Sequence, residues 1–192
     1  MPAKKTTRRS TSNSALPFTI PGVKGTQART VIDLLQERLH SLNDLAMTLK
    51  HAHWNVVGPQ FIGVHQMLDP QVSAVRLMAD ETAERIATLG GEPMGTPGAL
   101  VAGRSWEDYP VNRGDALTHL SALDEVYSRV VEAHREAIEK TGDADPVTED
   151  LLIGQASQLE QFHWFVRAHL EQSDGTISHA TSGRAGSRRR SA

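Results

Sequence analysis

Residues 60–89 read QFIGVHQMLDPQVSAVRLMADETAERIATL, and the fold turns on how this stretch is laid out. Its apolar residues Phe61, Val64, Leu68, Val72, Val75, Ala79 and Ile86 recur with helical spacing. At ~100° per residue they cluster on one arc, so the segment is a helix with one face in a core. With His65 at zero on the same wheel, Asp69, Asp80 and Glu84 fall near roughly 40°, 60° and 100°. These four potential metal ligands share one stripe that faces away from the apolar arc. Along the axis, however, the pair His65/Asp69 lies ~22 Å from the pair Asp80/Glu84. One helix cannot bring both pairs to one ion. A second copy running antiparallel can, because 65 and 84 share a midpoint with 69 and 80, between residues 74 and 75. His65 then faces the partner's Glu84, and Asp69 the partner's Asp80, which gives two identical sites per dimer. Without a cation these facing carboxylates would repel one another.

The flanking sequence extends this to a bundle. A first helix is predicted over about 27–54 from Val31, Leu34, Leu35, Leu39, Leu42, Leu45 and Leu49, ending in Asn55-Val-Val-Gly-Pro59. Pro70 lies inside the second helix, over about 60–89, and is expected to bend it or to open one backbone bond. Gly90-Gly91 ends that helix. Residues 92–112 form a long connection, with a short helical turn near Pro97–Val101. Further helices are predicted over about 113–140 (Leu117, Leu120, Leu123, Tyr127, Val130, Val131, Ile138) and 147–171 (Leu152, Ala156, Leu159, Phe162, Val166, Leu170). Two short links and one long one make an all-α four-helix bundle with a single crossover. No strand-like alternation or internal repeat competes with that reading.

Charge divides the chain of 192 residues into three parts. Residues 1–16 carry Lys4, Lys5, Arg8 and Arg9 and no acid, and residues 173–192 carry Arg184, Arg188, Arg189 and Arg190 against Asp174. Removing these eight bases and one acid from the totals of 20 and 23 leaves 12 bases and 22 acids in the body, residues 17–172. Both basic tails are rich in Ser, Thr, Gly and Ala and are expected to be disordered. They suit sequence-independent contact with the phosphates of double-stranded DNA. Cysteine is absent, which excludes disulfides and thiolate chemistry. No stretch has the length or apolarity of a membrane span or signal core, so no membrane association and a cytoplasmic location are expected.

His53 ends the first helix and should lie beside His65 across the turn. A mixed His/carboxylate set suits Fe(II), and also Zn or Mn. Trp54 follows directly, either as an aromatic plug at a helix end or as an electron donor to an oxidising metal. Two Glu-x-x-His pairs, Glu37/His40 and Glu160/His163, offer another arrangement: a di-iron or di-manganese site inside the bundle. His163 is in register with Leu159 and Val166, which favours a packed core histidine.

The run His53-Trp-Asn-Val-Val-Gly-Pro-Gln-Phe-Ile-Gly-Val-His65, then Asp69, then Asp80-Glu-Thr-Ala-Glu-Arg-Ile-Ala-Thr-Leu-Gly90, closely resembles the signature of Dps proteins, the mini-ferritins. Phe18-Thr-Ile-Pro-Gly22 and Phe162-His-Trp-Phe-Val-Arg-Ala-His-Leu-Glu171 are similar to actinobacterial members, and the likeness covers residues 18–172. The resemblance implies a hollow homo-dodecamer built from two-fold dimers of ferritin-like subunits. It implies iron held by His53, His65 and Asp69 of one subunit with Asp80 and Glu84 of its mate. It further implies Fe(II) oxidation with hydrogen peroxide, ferric mineral stored inside, association with the nucleoid, and Asp145 and Asp150 lining pores through which iron passes. Two other functions fit the same residues: a DNA-compacting nucleoid protein whose intersubunit metal is structural, and the bundle-internal di-metal enzyme.

Overall fold

The computed structural model describes residues 16–172 and 174–179, so Lys4, Lys5, Arg8, Arg9, Arg184, Arg188, Arg189 and Arg190, the bases expected to meet DNA, lie outside the described residues. Helix α1 (Gly25–Asn55) is followed by strand β1 (Val56–Val57) and α2 (Phe61–Thr88). The crossover holds the short α3 (Pro97–Gly103) and ends in β2 (Gly114–Asp115), after which come α4 (Ala116–Thr141) and α5 (Pro146–Leu170). Hairpin α1–α2 packs on hairpin α4–α5, chiefly through α1 against α4. Leucines 35, 42, 45 and 49 of α1, with Leu68, Val75 and Ile86 of α2, Leu123 and Tyr127 of α4, and Leu152 and Leu159 of α5, are fully buried between them. Each such side chain contributes about 1.5–3 kcal/mol of transfer free energy.

The two strands are a departure from the expected all-helical chain. Val56 and Val57 pair in parallel with Gly114 and Asp115. The pairing ties the end of the crossover to the α1–α2 turn, so α4 starts where α1 stops and runs antiparallel to it. Asp115 then caps α4, its carboxylate accepting from the Thr118 amide at 2.8 Å. Helix α2 runs unbroken through Pro70, which sits at an exposed position. Leu117, expected in the core of α4, is 42% exposed.

Glycine is required at residue 90. Its φ is 86°, and a Cβ there would sit 2.1 Å from the Phe18 carbonyl oxygen. The N-terminal segment therefore crosses the end of α2 in contact with bare backbone. The other end of the chain departs from expectation. Instead of leaving the bundle at residue 172, residues 174–179 fold back on the end of α5, pairing Ile177 with Glu171.

Candidate metal centre

The turn between α1 and α2 brings His53 and His65 face to face. Their rings stack with centroids 3.6 Å apart and planes inclined by 21°. His53 Nδ1 donates to the His65 carbonyl, and His65 Nδ1 donates to the His53 carbonyl, both at 2.9 Å. A carbonyl only accepts, so each Nδ1 carries a proton and Nε2 is the ring nitrogen left to bind a metal. Asp69, one turn further along α2, completes the group: His53, His65 and Asp69 each place a ligand atom within 4.8 Å of the others. Among the described residues no other set of His, Asp or Glu does so. His53 is buried, His65 half-buried and Asp69 exposed, so the group opens outward at its carboxylate.

Lys50, which the sequence reading overlooked, holds that carboxylate. Its Nζ lies 2.6 Å from Asp69 Oδ1, and His53 Nδ1 lies 3.4 Å from the same oxygen. The hydrogen bond from Lys50 is the main reason the Asp69 carboxyl lies below the usual range, with the charges of His53 and His65 adding to it. The signal was present in the spacing: Lys50 precedes His53 by three residues and so shares its helical face.

Asp80 and Glu84 are exposed on the same continuous helix and do not reach the group in their own chain. Their separation from it is set by the rise of α2, ~22 Å. Trp54, beside His53, is 69% exposed and plugs nothing among the described residues. The Glu-x-x-His pairs do not converge. His40 Nε2 donates to the Met94 carbonyl, and Glu37 is exposed. Glu160 pairs with Arg135 at 2.6 Å, and His163 Nε2 donates to Asp124.

The two acids expected at a pore differ in their surroundings. Asp145 is buried, with Oδ2 2.6 Å from Arg85 Nη2 of α2 and bonded to the Thr148 hydroxyl. Burial raises its pKa, but the bonds from Thr148 and Arg85 outweigh burial and hold the carboxyl below its ordinary range. A carboxylate so engaged ties α5 to α2 within the subunit. Asp150, one turn later, is exposed.

Buried histidines, a metal-ready carboxylate group at a helix turn and one crossover in a four-helix bundle define a ferritin-like protein, and the ferritin-like domain family matches residues 32–175. The chain is 59% identical to the DNA protection during starvation protein of Mycolicibacterium smegmatis over 162 residues, 84% of this chain and 88% of that one. Solved structures agree. A tetragonal form of Mycobacterium smegmatis Dps superposes with a TM-score of 0.84 at 59% identity, covering 84% of this chain and 98% of the other. DpsA14 from Streptomyces coelicolor also gives 0.84 at 59% identity, covering 86% and 99%. The chain belongs to the Dps family.

Proposed function

We propose that this protein is a ferroxidase and iron store that protects DNA. The observation that carries the reading is the pairing of a preformed His53/His65/Asp69 group with two exposed carboxylates, Asp80 and Glu84, about four turns further along the same side of α2. A two-fold mate supplies the partner's Asp80 and the partner's Glu84 to each group, and Fe(II) is the substrate. The two imidazole Nε2 atoms give affinity for the ferrous ion, while the hard carboxylate oxygens favour the ferric product. Two neighbouring Fe(II) ions each give up one electron. One hydrogen peroxide takes both, with two protons, and becomes two waters, so no hydroxyl radical is released. Lys50 keeps Asp69 compensated until a metal cation displaces its ammonium group.

The dimer in turn builds a hollow dodecamer that keeps the ferric mineral, in the cytoplasm and on the nucleoid. Contact with DNA goes through Lys4, Lys5, Arg8, Arg9, Arg184, Arg188, Arg189 and Arg190, because the body between the tails is acidic. Twelve copies multiply the modest charge of each tail into avidity. The relative named for DNA protection during starvation supports this part of the reading. Within the bundle, the engagement of Glu160 by Arg135 and of His163 by Asp124 argues against a di-metal site there.

The test is anaerobic Fe(II) loading followed by peroxide, read as ferric absorbance beside the mass of the assembly. Asp80→Asn with Glu84→Gln should abolish peroxide-coupled oxidation, while Glu160→Gln with His163→Gln should leave it. Loss in the second variant alone would overturn the intersubunit reading. Retention of assembly and DNA binding without oxidation in the parent would leave a structural metal as the answer.

A further inference from the structure

Past α5 the chain makes a tight return. Gly175 takes a φ of 81°, and Asp174 Oδ1 accepts from the Thr176 amide and hydroxyl at 2.9 and 2.7 Å. The Gln172 amide then donates to the Thr176 carbonyl at 2.8 Å, and the Ser178 amide to the Leu170 carbonyl at 2.9 Å. The return delivers His179 to α4, with Nε2 3.6 Å from Asp124 Oδ2, just beyond hydrogen-bond distance. Asp124 is 6% exposed, and its other oxygen accepts from His163 Nε2 at 2.5 Å and Arg167 Nε at 2.8 Å. Burial raises its pKa, yet the hydrogen bonds from Arg167 and His163 hold the carboxyl below the ordinary range. Asp124 is thus an anion with two donors on one oxygen and His179 on the other.

We propose that the return of residues 174–179 onto the end of α5 is a clasp, closed by His179 on Asp124, that sets how far Arg184, Arg188, Arg189 and Arg190 reach toward duplex DNA. The proposal rests on the tail reading above. Reach is bounded by covalent geometry. From a fixed His179, Arg184 can stand at most ~17 Å away; from Glu171, with the clasp open, the limit is ~45 Å. Opening adds length without adding charge. The number of phosphates neutralised per arm, and hence the salt dependence of DNA binding, stays the same. What grows is the distance over which one assembly can hold DNA already held by another. A closed clasp therefore favours DNA lying along one shell, and an open one favours bridging between shells.

The experiment uses the assembled full-length protein with plasmid DNA. His179→Ala removes the contact with Asp124, and Gly175→Val forces a side chain into the positive-φ turn, so two independent lesions address one clasp. Hydrogen exchange over residues 170–179 should accelerate roughly tenfold in both. DNA condensation, followed by light scattering, should begin at severalfold lower protein concentration, with an unchanged salt slope and unchanged Fe(II) oxidation. Unaltered exchange in both variants overturns the clasp. Accelerated exchange with unaltered condensation overturns its effect on reach. If deleting 180–192 from the parent leaves DNA binding intact, the tail reading fails and the reach proposal with it, while exchange still reports the clasp itself.

Discussion

His53 and His65 lock each other's tautomer: each ring donates its Nδ1 proton to the other residue's carbonyl at 2.9 Å while the two rings stack at 3.6 Å. The pair is a structural joint of the α1–α2 turn as well as a ligand pair, so either change acts on both. Removing the His65 ring should weaken Fe(II) binding by on the order of 10–100-fold, because one ligand nitrogen is lost and the remaining imidazole, though still bonded to the residue-65 carbonyl, loses its stacking partner. Isothermal titration with Fe(II) under argon measures this, and an affinity unchanged in His65→Ala would contradict it.

An intersubunit centre makes complementation possible. Chains carrying His65→Ala and chains carrying Asp80→Asn with Glu84→Gln should each be inactive alone. Co-refolded in equal amounts, they should recover about a quarter of the parental sites, since in a two-fold pair one site collects both lesions and the other none. Zero recovery in correctly assembled mixtures would count against sharing.

Lys50→Gln removes the main cause of the low Asp69 pKa, so the carboxyl should titrate at higher pH, closer to its ordinary range. The depressed value means that the Lys50–Asp69 attraction is present above the unfolded-state pKa and is lost as pH falls through the folded one. Carbon-detected titration of the Asp69 carboxyl follows the shift. Fe(II) uptake at low metal should become faster, because no ammonium group has to be displaced.

His134 carries a pH dependence of the fold itself. It is fully buried, donating through Nε2 to Gln155 Oε1, and desolvation, helped by the charge of Arg38, lowers its pKa from 6.5 to about 4. The unfolded chain takes up this proton first. Stability is therefore full above about pH 6.5 and declines toward pH 4, by about 3 kcal/mol at most. Thermal melts across that window should show the decline, and His134→Gln should flatten it.

Gly90→Ala should detach the N-terminal segment. The new Cβ would meet the Phe18 carbonyl, and the residue would be held at a φ of 86°. A cost of about 1–3 kcal/mol is expected, read as a lower Tm and faster proteolysis near Phe18.

The helices were legible because each repeats its apolar residues with one period over many turns, and the observed ends fall within about three residues of those expected. The metal stripe was legible for the same reason, since spacing along one helix fixes both angle and height. Contacts between distant segments were not. Asp145 reads as a helix-start acid, and nothing local says that Arg85, 60 residues earlier, will occupy it. Strands β1 and β2 are too short to show alternation and exist only because the crossover returns to the α1–α2 turn. The return of 174–179 depends on Asp124, which looks like an ordinary polar residue of α4 until His163, Arg167 and His179 are seen around it.

The unbroken length of α2 has a consequence for the cell. On the two-fold reading, a newly made chain holds half of a centre at each end of one rigid rod and cannot join the halves by any internal motion. Redox capability then appears only on encounter, so in dilute solution it rises with the square of the chain concentration. On that reading solitary subunits, with nowhere to put the rust, would leave iron unoxidised, and detoxification would follow assembly.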